Sequence, residues 1–307
     1  MKGVIVLGSI LLGAVALGLL WAIMALGVYV TYRVLDVADL SVEGTITTGA
    51  AVCASLIAVK EMNPWLATMC GTVAGMVAGL VTGLLHTKLK IPALLSGILT
   101  MTALYSVNLR IMGKANVSLL KQDTVYTGVT AMLNDNKTLA ILVVGLICVI
   151  VVGILMYMFF GTEIGSAVRA TGNNPKMARA QGINTDNMII VGLVLSNGMV
   201  AFAGALIAQN QSFADVQMGI GSIVIGLASL IVGEVIFSTK TFWKTIISVI
   251  LGAVIYRVII ALVLKAGMEA NDLKLFTAIT VAICLSLPIF KNYFATLKKS
   301  MGGEDNA

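Results

Sequence analysis

The chain has 307 residues, 59% of them hydrophobic and 11% charged, with a mean hydropathy of +1.01 and a formal net charge of +6. Soluble domains carry about 25% charged residues, so the composition excludes a soluble globular protein and makes this an integral membrane protein. Its apolar runs are continuous rather than alternating, which excludes a closed barrel, and its basic residues are scattered over short loops, which argues for membrane orientation and against nucleic-acid binding.

In chain order, hydropathy punctuated by charge and proline predicts spans near 6–33, 42–59, 64–85, 91–111, 138–160, 188–208, 217–237, 243–264 and 273–289. A spanning helix needs about 20 apolar residues, so the expectation is an all-α polytopic bundle of about nine transmembrane helices (8–10). It forms a single transmembrane domain over residues 1–307, with a polar loop at 161–187 inside it. The first run is too long for the apolar region of a signal peptide and is followed by no small-residue cleavage site, so it stays in the membrane. Pro64 and Pro92 open spans, Pro175 opens a helix in the polar loop and Pro288 closes the last span; proline suits a first helical turn, where its missing N–H costs nothing.

After the first span come Asp36, Asp39, Ser41 and Glu43. At membrane depth these groups line an inner gate; in the headgroup region they form a solvated turn with a helix N-cap at Asp39 or Ser41. The third span repeats glycine every fourth residue (Gly71, Gly75, Gly79, Gly83), a smooth face expected to serve ordinary helix packing. His86, the only histidine, falls at a span end and cannot build a metal site alone. Cys53, Cys70, Cys148 and Cys284 fall within spans without paired spacing and read as small buried hydrophobes. The long polar loop 113–137 is either a receiver for a soluble protein or an ordinary surface loop.

The 161–187 stretch interrupts the hydrophobicity. Asn174 is placed to cap a helix, Pro175 is its first residue, Lys176 to Gln181 continue it for about two turns and Gly182 ends it. Being about 10 Å long, this helix is too short to span and must lie at the surface. Met177 and Ala178 are then available to fill a partner's groove, with Lys176 and Arg179 free to meet acidic groups around it. Asn197 stands in the middle of the sixth span, suited to a cavity or to interhelical hydrogen bonding. Arg257 lies about 14 residues into the eighth span. It must meet a substrate carboxylate, pair with carbonyls or a carboxylate such as Glu234, or snorkel outward; the structural role is favoured.

With the 161–187 loop cytoplasmic, the inner loops hold Arg33, Lys88, Lys90, Arg169, Lys176, Arg179, Lys240, Lys244, Lys291, Lys298 and Lys299. The outer side holds Lys2, Lys60, Arg110, Lys114, Lys121, Lys137, Lys265 and Lys274. The thin positive-inside margin places the loop and the C-terminus in the cytoplasm, and an odd number of spans then leaves the N-terminus outside unless the long first segment bends back. Ala38-Asp-Leu-Ser-Val-Glu-Gly44 and Ala214-Asp-Val-Gln-Met-Gly219 then fall on opposite faces, as an inverted repeat requires, although coincidence explains so short a match equally well.

The run Gly165-x-x-x-Arg169-Ala-Thr-Gly-Asn-Asn-Pro-Lys-Met-Ala-Arg-Ala-Gln-Gly-Ile183 resembles the cytoplasmic loop of ABC-importer permeases of the branched-chain amino acid and ribose type. The segment 38–44 is similar to an Asp-Leu-Ser-Val-Gly signature of the sugar branch, from which Glu43 departs. Together with Gly221-Ser-Ile-Val-Ile-Gly-Leu-Ala-Ser-Leu-Ile-Val-Gly-Glu234, it looks most like the tryptophan/tyrosine transport permease branch. The resemblance implies that Arg169, Gly172, Asn173, Asn174, Pro175, Lys176, Met177, Ala178 and Arg179 form the coupling element. It also implies a second permease copy, two ABC ATPase subunits and an extracellular substrate-binding (lipo)protein as partners, in a bacterial cell membrane. Asp36, Asp39, Ser41, Glu43, Asn197 and Arg257 are the candidates for pathway and gate. The chain has no phosphate-binding Gly-x-x-x-x-Gly-Lys-Ser/Thr loop, so ATP and Mg are expected on the partner ATPase, with no cofactor, metal or bond chemistry here. A secondary transporter driven by an ion gradient is the rival. Ionisable groups in mid-span are its mark, and Arg257 is the clear candidate, the carboxylates standing near span ends.

Overall fold

The computed structural model describes residues 2–237, 241–267, 272, 275–280, 282 and 286; Lys240, Cys284, Pro288, the basic C-terminus and most of the expected span 273–289 lie outside them. Helix α1 (Lys2–Tyr29) runs on through a π-helical turn (Val30–Val34) and is followed by α2 (Ser41–Lys60), α3 (Pro64–Thr87) and α4 (Ala93–Met112). Strand β1 (Asn116–Ser118) and helices α5 (Thr127–Met132) and α6 (Lys137–Gly161) come next. The polar stretch forms α7 (Glu163–Asn173) and α8 (Pro175–Ala180). The described elements close with α9 (Thr185–Gln211), β2 (Phe213–Asp215), α10 (Ser222–Ile236) and α11 (Phe242–Lys265).

Among the described residues seven helices are long and apolar enough to cross a membrane: Gly8–Val34, α2, α3, α4, α6, α9 and α11. The span expected over 217–237 starts late, at Ser222, because Gly221 at φ +82° ends a turn there. The resulting α10 has 15 residues, about 22 Å of helix, short of a hydrocarbon core of roughly 30 Å. Helix starts follow the caps in the sequence: Asn63, Asn136, Thr162, Asn174 and Asn184 each accept a backbone N–H from two or three residues ahead.

Helix α9 is the axis, packed against α1, α2, α3 and the face of α7. The glycine stripe of α3 makes this possible. A Cβ at Gly71 would stand 2.7 Å from the Gly49 carbonyl, and one at Gly75 would stand 2.7 Å from that of Asn197; at Gly83 the nearest atom is Ile190 Cα at 3.1 Å. The stripe therefore does serve helix packing. Exposed apolar side chains collect on the outer faces of α4 (Leu94, Leu95, Leu99) and α6 (Ile147, Ile150, Leu155), as a lipid-facing surface requires. Cys53 and Cys148 are buried, but Cys70 is exposed: it precedes Gly71 and shares the outer side of α3 with Met69.

Opposite the α7–α8 face, β1 and β2 pair antiparallel, with Val117 facing Ala214. Leu119, Val125 and Tyr126 are buried beneath this cap. The Tyr126 phenol donates to the Leu206 carbonyl at 3.0 Å and the Gln209 side chain accepts from Val125 N at 2.9 Å. Loop 113–137 is thus a fitted lid over the end of α9. The two Asp-containing motifs of the expected repeat diverge: Asp39 is buried in the loop before α2, whereas Asp215 ends a strand.

Candidate functional site

Two neighbourhoods gather the polar residues. The first lies inside the bundle, where the chain leaves α1 and re-enters as α2. Asp39 is 3% exposed and accepts from Ser41 N at 2.8 Å, Ser41 Oγ at 2.5 Å and Asn197 Nδ2 at 2.8 Å. Asn197 stands twelve residues into α9, about 18 Å from its start. Asp39, Ser41 and Asn197 are therefore one knot: the carboxylates stand near the ends of the Gly8–Val34 and Ser41–Lys60 spans, as expected, but this span junction meets the middle of α9. No Lys or Arg forms an ion pair with Asp39 among the described residues. A bare buried carboxylate is costly; here three donors and the positive N-terminal end of α2 offset that cost. The N-cap position of α2 is Leu40, which has no capping side chain, rather than Asp39 or Ser41, and Asp39 holds Ser41 from within the bundle.

Glu43, in the first turn of α2, reaches across to accept from Gly221 N at 2.9 Å. It therefore caps α10, and the starts of α2 and α10 are joined; Gly219 packs directly on the Glu43 carbonyl. Closer to the α7–α8 face, Arg33 in the π-helical turn makes a bidentate pair with Glu234 at the end of α10, Nε to Oε1 at 2.8 Å and Nη2 to Oε2 at 2.5 Å. Glu234 is thereby occupied by Arg33 and unavailable to Arg257. This pair was legible only as an arginine at a span end and an acidic residue near another.

The second neighbourhood is the α7–α8 face. A polar cleft of about 350 Å³ is lined by Tyr29, Tyr32, Arg33, Asp36, Arg169, Gly172 and Asn173. It brings Asp36, at φ +55°, together with three of the coupling candidates and apart from Asp39 and Glu43. Arg169 lies over the Phe242 ring at 5.5 Å. Gly172 packs directly against the Val34 carbonyl, so α7 touches the turn that carries Arg33. Helix α7 lies outside the expected 175–181 helix; its signal in the sequence is Thr162, whose hydroxyl accepts from Gly165 N at 3.2 Å ahead of an amphipathic run.

Helix α8 matches its expected caps: Asn174 Oδ1 accepts from Met177 N at 3.1 Å, and Gly182 takes φ +83°. Met177 is 58% exposed, but Ala178 is 3% exposed and packs inward. Only Met177 is left of the expected apolar pair, because a two-turn helix needs one residue to anchor it. Arg179 is tied to Thr185 Oγ1 at 2.6 Å and Asp186 at 3.5 Å, and Lys90 also reaches Asp186 at 3.2 Å. His86 bonds the Ile91 carbonyl through Nδ1 at 2.8 Å, and no cluster of metal-ligating side chains occurs among the described residues.

Arg257 sits eight residues before the end of α11, its guanidinium 4.1 Å from the centroid of the Trp21 ring.

A family model described as "Branched-chain amino acid transport system / permease component" matches residues 10–285. The chain is 40% identical over 268 residues to a tyrosine transport system permease protein of Clostridioides difficile (strain R20291), covering 87% of this chain and 88% of that one. It is 31% identical to an uncharacterized protein of Rickettsia prowazekii (strain Madrid E), over 91% of this chain and 97% of that one. A shorter similarity, 29% identity over 32% of this chain and 28% of the relative, links it to the autoinducer 2 import system permease protein LsrC of Escherichia coli (strain K12 / DH10B).

Proposed function

This chain belongs to the family of permease components of branched-chain amino acid transport systems, and from that premise we propose that it is the membrane subunit of an ATP-driven importer of aromatic amino acids. It is a multi-pass membrane protein of a transport system. The substrate reading draws on the tyrosine transport permease that is similar over most of its length. The coupling reading is carried by one observation: α8 is capped at both ends and seated by Ala178, yet presents Met177 outward.

In this reading α8 is cytoplasmic and docks Met177 into a groove of a separate ABC ATPase, which binds ATP and Mg. ATPase closure pushes α8, α7 follows, and Gly172 bears on the π-helical turn at Val34. That turn carries Arg33, so the push loads the Arg33–Glu234 pair and, through α10 and Glu43, the Asp39 knot. Alternating access follows as the helices on either side of this line rock. A second permease copy completes the pathway, an extracellular binding protein delivers the solute onto the side of the β1–β2 lid, and lipid surrounds the rest.

The test is Met177→Asp in the assembled transporter. Loss of ATPase co-purification with an unchanged elution profile of the permease is the expected result; full retention of the ATPase sinks the docking role. The buried, cation-free Asp39 favours the rival reading of an ion-driven transporter. Reconstituted uptake that follows an ion gradient without ATP would establish that rival.

A further inference from the structure

We propose that the cavity lined by Arg257 is the subsite that holds the carboxylate of the transported amino acid, an inference that rests on the aromatic amino acid reading above. The cavity measures about 290 Å³ and is walled by Gly221, Val224, Ile225, Tyr256, Arg257 and Ile260, close to the lower bound of roughly 300 Å³ for small-molecule sites.

Arg257 Nε and Trp21 Nε1 are both shielded from solvent and both lack a hydrogen-bond partner among the described residues, and the guanidinium lies over the indole at 4.1 Å. The ring face stabilises the cation but accepts none of its five N–H donors. Arg257 takes part in none of the ion pairs among the described residues, and Glu234 is held by Arg33. The large majority of buried side-chain donors are satisfied, so the unpaired Nε of an arginine that lines a cavity calls for an external acceptor.

A carboxylate in the cavity offers two oxygens to the guanidinium of Arg257, the charged donor in its wall, and the apolar walls from Val224, Ile225 and Ile260 suit an aromatic side chain. The location agrees with a substrate entering from the lid side. Arg257 is about 12 Å inside the end of α11 that carries Lys265, the end opposite the α7–α8 face. A phospholipid headgroup offers the same anionic chemistry from another source.

The experiment uses the complete importer, permease with ATPase and binding protein, in proteoliposomes fed labelled L-tyrosine. Arg257→Gln is expected to lower ATP-driven uptake at least tenfold in complexes of normal assembly, with Arg257→Lys retaining part of it. Uptake by Arg257→Gln equal to that of the unaltered importer overturns the inference alone; absence of L-tyrosine uptake by the unaltered importer overturns the substrate reading beneath it. Should Arg257→Gln not assemble, the unaltered permease–ATPase complex decides in phosphatidylcholine nanodiscs. There L-tyrosine is expected to bind and L-tyrosine amide to bind at least tenfold more weakly, and equal binding overturns the subsite. A co-purified anionic phospholipid, seen by native mass spectrometry on the unaltered complex and lost from Arg257→Lys, would assign the donors to a headgroup and also overturn it.

Discussion

At Asn197 a single amide group donates to Asp39 and to the Leu193 carbonyl, at 2.8 and 3.0 Å, so this residue holds the sharp entry into α2 against the central helix. Asn197→Leu removes a donor from a buried carboxylate, an expected loss of about 1–3 kcal/mol. The measurement is the unfolding temperature in detergent; an unchanged value would mean that water replaces the amide. Arg33 and Glu234 differ in kind. Their side chains are 51% and 20% exposed, and exposed pairs contribute about 0–1 kcal/mol. Glu234→Gln should therefore leave the unfolding temperature nearly where it was while changing the uptake rate severalfold, and the charge-reversed pair Arg33→Glu with Glu234→Arg should recover part of that change. A large fall in stability with unaltered uptake would remove the pair from the gate.

At the level of helices, close approach replaces hydrophobic partition as the source of specificity, since lipid and side chain are equally apolar. Gly49 stands directly against the Ala201 backbone, whereas a Cβ at Gly13 would meet nothing within 4 Å. Gly49→Ala should cost about 1–3 kcal/mol or more through overpacking, and Gly13→Ala should be close to silent, both read as folded yield and unfolding temperature. Equal behaviour of the two would refute the α2–α9 packing. The period of four in Gly71, Gly75, Gly79 and Gly83 announced a packed face in the sequence. Gly49 carried no such signal, because an isolated glycine in an apolar helix does not say which neighbour comes near. Helix α7 was likewise hidden, its polar composition reading as loop until Thr162 and the contact of Gly172 with Val34 fixed it.

For the whole molecule, orientation is the property on which the rest depends. Met177 and Leu120 are 58% and 72% exposed on opposite faces. In a cysteine-free background, Met177→Cys should react with a membrane-impermeant maleimide only after the cells are opened, and Leu120→Cys should react in intact cells. The reverse pattern would invert the topology and place α8 out of reach of any cytoplasmic ATPase. The positive-inside margin was too narrow to carry this alone; the separation of the fitted β1–β2 lid from the capped α7–α8 unit supplies two faces that the labelling can tell apart.

The sequence by itself determined that the chain lives in a membrane, where most spans begin and end, and that a capped basic helix interrupts them. Those features depend on local composition, on hydrogen-bond geometry within a few residues and on the length needed to cross lipid. Only the tertiary structure decided which polar groups meet. Asp39 joins Asn197 from 158 residues away and Arg33 joins Glu234 from 201, while Arg257 faces Trp21 with its Nε unpaired among the described residues. Such pairings depend on which helices approach and at what depth, and hydropathy carries no record of either.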